Sequence, residues 1–233
     1  METDRVGGGE GARALIVQIT RSRTAVFDTA ARVDAARAEF ERHHCLRLPQ
    51  LLEPGLLQSI QHALDREEFY LRVHEGIGQE LCLRSGPTSG LLEFLANDAE
   101  FFQAIRRLTG CGPIGCFEGR VYRMAPGAGH YDSWHSDVGQ DRLVAMSINL
   151  STDVYSGGLL QIRRTQSSSI LCETANVGFG DGIIFRITRE LRHLVTAVEG
   201  TASKTAYAGW FRSQPEYVEL RKQAAVRSDS SLV

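Results

Sequence analysis

The sequence predicts an α+β chain that is mainly β: supporting helices first, then a sandwich or barrel of short strands. Three observations carry this reading. Before residue 109, apolar residues recur at helical spacing. From Thr109-Gly110-Cys111-Gly112-Pro113 onward, short β-rich runs alternate with Gly and Asp. The 233 residues, 42% of them hydrophobic, are enough for one domain with a sizeable core.

In chain order, Leu15–Thr20 and Ala25–Phe27 read as strands around the polar turn Arg21-Ser22-Arg23. Residues 1–12 are Gly-rich and expected to be mobile. Thr29 to His43 is helical by its Val33, Ala36 and Phe40 spacing. Cys45–Leu48 reads as a strand, and His43-His44-Cys45 as a helix-to-strand junction rather than a metal cluster. Pro54 starts a helix to about residue 66, whose stripe is Leu56, Leu57, Ile60 and Leu64. Gly86, Pro87 and Gly90 mark a loop, and Leu91–Leu95 and Glu100–Leu108 read as further helix. The β-rich part divides into Cys116–Arg123, Leu143–Leu150, Gly158–Arg163, Ile170–Glu173, Ile183–Ile187, Leu194–Val198 and Thr205–Phe211. Glu216–Ala225 is expected to be a helix, and Arg227–Val233 frayed.

A formal net charge of −2 supplies no global field to recruit nucleic acid or an anionic membrane. No basic stripe or aromatic array suits nucleic-acid bases. With no spanning run and no signal-peptide pattern, a cytoplasmic protein is expected. Five irregularly spaced cysteines argue against a disulfide framework and for buried, idle thiols.

The chemistry-bearing feature is His135-Ser136-Asp137, with His193 downstream. On a strand, positions i and i+2 share a face, so one imidazole and one carboxylate point together. A second imidazole from a later strand completes a facial set, with three cis positions of an octahedral metal left open. That is the non-haem Fe(II) oxygenase arrangement. A second pair, His130-Tyr131-Asp132, has the opposite parity, so only one pair faces inward on a continuous strand. Pro126, Gly127 and Gly129 keep 126–132 turning, which places the regular strand at 133–138 and turns Trp134 and Ser136 away from the metal.

From about Arg120 to Arg212 the chain resembles the Fe(II)/2-oxoglutarate-dependent dioxygenases, nearest their prolyl-hydroxylase-like branch. The resemblance runs in order through Val121–Gly127, Trp134–Asp137, Arg142–Ser151, Tyr155–Leu160 with its paired glycines, Gly180–Phe185, His193–Gly200, and Lys204 with Trp210. It implies a double-stranded β-helix, the jelly-roll or cupin-like barrel. The organisation expected is one structural domain in four stretches. These are a partly flexible N-terminal segment over 1–28, helical support and lid over 29–111, the catalytic barrel over 112–215, and a C-terminal helix and tail over 216–233. Within this, residues 67–118 are expected to cover the barrel mouth.

The resemblance also implies that His135, Asp137 and His193 are both metal ligands and catalytic centre, with Fe(II), 2-oxoglutarate and O2 as cofactor and co-substrates. Lys204 then pairs with the far carboxylate of 2-oxoglutarate. Lys offers one point charge where most relatives use an Arg fork. Asn149, Tyr122 and Ser147 are candidate neutral donors beside it. Met124 stands where relatives commonly have Tyr, and Leu159-Leu160-Gln161 replaces an acidic residue. Halogenating relatives lack the carboxylate, so Asp137 favours hydroxylation or a desaturation-type outcome. Substrate contacts are assigned to Arg123, Arg142, Arg186 and Trp134, with Arg163 a further candidate. The expected partner is a small molecule, free or carrier-bound, or a peptide. A cupin-like metal enzyme that does not use 2-oxoglutarate, and a non-catalytic metal-binding barrel, are the competing readings.

Overall fold

The computed structural model describes residues 15–220 and 222, except 28, 140 and 177. In chain order its elements are β1 (Val17–Ile19), β2 (Thr24–Val26), α1 (Ala30–His43), β3 (Cys45–Leu48), α2 (Pro54–Leu64), β4 (Phe69–His74), β5 (Gly78–Leu83), α3 (Pro87–Ala96) and α4 (Ala99–Thr109). Then follow β6 (Cys116–Met124), β7 (Tyr131–Asp132), β8 (Arg142–Asn149), β9 (Ser156–Gly157), β10 (Leu160–Arg164), β11 (Ile170–Thr174), β12 (Gly182–Arg186), β13 (Leu191–Val195), β14 (Val198–Glu199) and β15 (Lys204–Arg212). The proposed mobile stretch 1–12 and the frayed 227–233 lie outside the described residues. Of the expected C-terminal helix, residues 217–220 are helical.

Two antiparallel sheets make the barrel. The larger runs β3-β12-β8-β15-β6-β5-β4, with β7 added to β5, and the smaller runs β11-β10-β13. This is the mainly β double-stranded β-helix that the sequence implied. β15 sits mid-sheet between β6 and β8 and sets the alternation. Its Tyr207 and Phe211 face outward and are almost fully buried against the helical layer. Phe211 meets Phe101 of α4 at 5.7 Å and Phe117 of β6 at 4.8 Å, ring centre to ring centre. Truncating Phe211 to Ala in such a cluster costs about 3–5 kcal/mol. Lys204, Ala208 and Trp210, on alternate positions, turn to the interior of the barrel.

α1 is capped as its sequence suggests: the Thr29 hydroxyl accepts from the Arg32 amide, and His44 ends the helix in the left-handed region. That ending turns the chain directly into β3, so the His43-His44-Cys45 junction forms as read. Gly90 lies inside α3 rather than in a loop, because the helix starts at Pro87.

The longest strands that escaped the sequence reading are β4 and β5. They form a hairpin on the edge of the larger sheet, where 67–85 had been given no strand. This hairpin, not α3 or α4, borders the interior cavity. The expected strand at 133–138 does not form; only His135 makes a β-bridge there. The strand lies upstream, as β7, in the stretch expected to be turning. No disulfide forms among the described residues, and the thiols of Cys45 and Cys172 approach to 2.7 Å across the gap between the two sheets.

Candidate metal centre

Two histidines are brought together by backbone pairing, before any side chain is considered. The His135 amide donates to the His193 carbonyl at 3.1 Å, and the His193 amide to the His135 carbonyl at 3.0 Å. Such a doubly bonded antiparallel pair puts both side chains on the same face. The imidazole centroids are 4.4 Å apart. Phe185 of β12 packs its edge against His193 at 4.7 Å, which limits ring rotation.

The His135 Nδ1 lies 2.7 Å from the Ser133 carbonyl, so Nδ1 carries a hydrogen and Nε2 is the nitrogen turned toward Asp137 and available to a metal. That Nε2 is 3.5 Å from Asp137 Oδ1, and His193 Nε2 is 3.3 Å from Asp137 Oδ2. Cis ligands at about 2.1 Å from one ion are about 3 Å apart, so these separations fit a shared octahedral cation. Among the described residues, these three are the one group of His, Cys, Asp and Glu close enough for a common ion. Burial alone would raise the Asp137 carboxyl. The two imidazoles and the Trp210 indole, which donates to Oδ2 at 2.7 Å, outweigh it and hold the group well below the usual carboxylate range.

Asp132 is the residue that parity reasoning set aside. Because 133–138 is not a strand, Asp132 and His135 do not follow strand alternation. Asp132 Oδ1 lies 3.3 Å from His135 Nδ1, and Oδ2 accepts the Val195 amide at 2.7 Å. One carboxylate thereby ties the segment carrying His135 to β13, which carries His193. His130, its partner in sequence, turns away and accepts the Ala125 amide at 2.9 Å.

Lys204 stands at the other end of the cavity, 4% exposed. Its ammonium donates to the Gly158 carbonyl at 2.9 Å, and no carboxylate among the described residues is within ion-pair reach. Burial pushes its pKa down to about 8, and the charge of Asp132 restores a little. The paired glycines make this possible. Gly158 has φ of +60°, and a Cβ there would press on the Lys204 Cδ at 3.0 Å.

The cavity that joins these groups has a volume of about 490 Å³. Tyr122 and Ser147 line it, and the Ser147 hydroxyl is buried with no hydrogen-bond partner among the described residues. Asn149 does not line it. Its amide is engaged by the Gly178 carbonyl and the Ser151 amide, because the strand ends there and the side chain closes the following turn. Of the four substrate candidates only Arg142 reaches the cavity. Arg123 lies over Phe69 and bonds Thr205 on the outer face of the sheet. Arg186 pairs with Glu41 at 2.7 Å, and Trp134 is covered by Arg163 at 4.2 Å from its ring centre. The sequence reading missed Arg72, His74, Glu80, Arg120 and Asn176 on the wall. The first three alternate along a hairpin whose alternation, Phe69-Leu71-Val73 against Tyr70-Arg72-His74, was visible in the sequence.

Residues 119–212 match the 2OG-Fe(II) oxygenase superfamily. No curated protein matches the chain. Solved structures share the fold at low identity. A Pseudomonas putida prolyl-4-hydroxylase is 19% identical with a TM-score of 0.58, over 78% of this chain and all of its own. The non-haem α-ketoglutarate-dependent epimerase SnoN from nogalamycin biosynthesis is 12% identical with a TM-score of 0.58, over 79% of this chain and 82% of its own. HygX from Streptomyces hygroscopicus, with nickel and 2-oxoglutarate bound, is 15% identical with a TM-score of 0.57, over 78% and 88%. The histidine pair, the inward carboxylate and the barrel lie within the stretch that matches the 2OG-Fe(II) oxygenase superfamily, whose members use Fe(II), 2-oxoglutarate and O2.

Proposed function

We propose that this chain hydroxylates an unactivated C–H bond of a small molecule, free or carrier-bound, or of a peptide residue, with succinate and CO2 as co-products. The observation that carries this reading is a single cavity with a facial His-Asp-His set at one end and a buried, carboxylate-free Lys204 at the other. A buried cation whose one hydrogen-bond acceptor is a neutral carbonyl is costly unless an anion comes to it.

His135 and His193 would hold the iron through Nε2, and Asp137 through its carboxylate. When bound, Fe(II) supplies activation of dioxygen coupled to oxidative decarboxylation of 2-oxoglutarate. The rest is done by the chain's own groups. Lys204 takes the far carboxylate of 2-oxoglutarate, and the Ser147 and Tyr122 hydroxyls add neutral donors that one ammonium does not supply. Trp210 holds Asp137 by donating to Oδ2, and Asp132 steadies the His135 ring from the Nδ1 side. Phe185, Ile183 and Leu160 keep the histidine end apolar. Ala145 and Ala208 occupy inward positions with small side chains, which leaves room for a substrate beside the centre.

Anaerobic titration of Fe(II)-loaded protein with 2-oxoglutarate tests the reading. A saturable visible charge-transfer band, absent in His135→Ala and weakened in Lys204→Ala, supports it. Iron-loaded protein that shows no band transfers the reading to a cupin-like metal enzyme independent of 2-oxoglutarate.

A further inference from the structure

The cavity wall opposite the histidines carries more guanidinium groups than carboxylates to pair them. Arg120 donates to Glu80 at 2.5 Å, and Glu80 has no other partner closer than His74 at 3.7 Å. Arg72 faces Glu80 directly across the β4–β5 pairing, yet makes no ion pair among the described residues. Arg142 lies 3.6 Å over the Trp210 ring, and its guanidinium donates to the Asp137 backbone carbonyl at 3.2 Å. Glu118, which also lines the cavity, is held from outside by Arg212 at 2.5 Å. Arg142 also lies 3.9 Å from Asp137 Oδ1 and belongs to the metal end, so Arg72 and Arg120 face the interior against one carboxylate, Glu80, that is not engaged elsewhere.

From this arrangement we infer that the substrate carries a carboxylate, clamped by Arg72 and Arg120 on the β4–β6 wall. The inference rests on the oxygenase reading and names the substrate class for it. Each guanidinium keeps unengaged N–H donors in a planar fork that matches an oxyanion. Arg142, fixed by stacking, extends the positive potential toward the metal end and steers the anion inward. A cavity of about 490 Å³ falls in the usual range for small-molecule sites, so the wall suits a small acid. The acid group sits away from Lys204, and the C–H to be attacked lies between the clamp and the histidines.

The test uses full-length protein loaded with Mn(II) and saturated with 2-oxoglutarate, so that Lys204 is already occupied. Phenylacetate, phenylacetamide and phenyl phosphate serve as probes, and the paramagnetic relaxation of their ring protons is read by NMR. Phenylacetate is expected to be relaxed about tenfold more strongly than the amide, the size of one charge-assisted hydrogen bond. Arg72→Gln, which breaks no hydrogen bond or ion pair among the described residues, is expected to lose most of that difference, and Arg72→Gln/Arg120→Gln all of it. Arg123→Gln, off the cavity, is expected to keep it. Equal relaxation of acid and amide overturns the proposal, as does an unchanged acid signal in Arg72→Gln. Phenyl phosphate alone responding overturns the carboxylate in favour of a phosphate. Repeating the probe series without 2-oxoglutarate in Lys204→Met separates the two readings. Acid selectivity kept there, with no chelate band in the Fe(II) titration, refutes the co-substrate assignment and leaves the clamp standing.

Discussion

Two His-x-Asp pairs lie five residues apart, and the fold uses them in opposite ways. In the downstream pair, His135 and Asp137 both converge on the point shared with His193. In the upstream pair the residues part: His130 closes the turn at Ala125, and Asp132 braces His135 and Val195. The motif is the same, and the sequence favoured the downstream pair through a strand expected at 133–138, which does not form; backbone pairing is what turns that pair inward. His135 is bonded through both main-chain groups to His193, whereas β7 pairs with the β5 edge at Gly78 and Gln79. The lesson is that the inner carboxylate faces the shared point and the outer one ties two segments together, and the roles proposed for them can be broken experimentally.

The largest expected effect is at the inner pair. His135→Ala or Asp137→Ala lowers Fe(II) or Co(II) affinity by more than about 100-fold, because a facial set with two ligands is incomplete. Metal titration by competition with a chelator reads this directly. Next comes the outer carboxylate: Asp132→Asn is expected to cost about 10–100-fold in metal affinity. An Asp132→Asn protein with wild-type affinity reduces Asp132 to a strand staple.

The third effect couples the outer carboxylate to Lys204. The ammonium must be charged to hold a carboxylate, and its pKa in the empty protein is about 8. Affinity for 2-oxoglutarate is therefore full below about pH 8 and falls about tenfold per unit above it. Removing the Asp132 charge, which raises the Lys204 pKa, moves that limit to lower pH. Stability of the empty fold runs the other way. Between about pH 8 and 10.4 the unfolded chain binds the extra proton, so this group makes stability rise with pH. The smallest effect belongs to His130→Ala. It leaves the Ala125 amide without its acceptor and is expected to cost about 1 kcal/mol in thermal unfolding, with metal affinity unchanged.

Much of the fold was legible. The Val33-Ala36-Phe40 and Leu56-Leu57-Ile60-Leu64 stripes predicted α1 and α2 because burial on one helix face imposes their spacing. The strands from Cys116 to Phe211 stood out because Gly and Asp turns punctuate β-branched runs. The hairpin β4–β5 was less legible. It is an edge element with Leu71 and Val73 exposed and Arg72 and His74 turned inward, so its polar and apolar faces reverse the usual pattern. Arg123, Arg142 and Arg186 looked alike in sequence, and only sheet register separates the one that reaches the cavity from the two on other faces.

By itself the sequence determined which chemistry was available: two histidines and a carboxylate in the right order, a lysine on an apolar strand, and paired glycines before it. These are local properties of residue type and spacing. Tertiary structure decided how the downstream His-x-Asp pair turns inward without a strand, that Asn149 closes a turn, that Asp132 joins the two ligand segments, and which arginines face the cavity. Those outcomes depend on cross-strand register between segments up to about a hundred residues apart, where a shift of one position reverses every side chain.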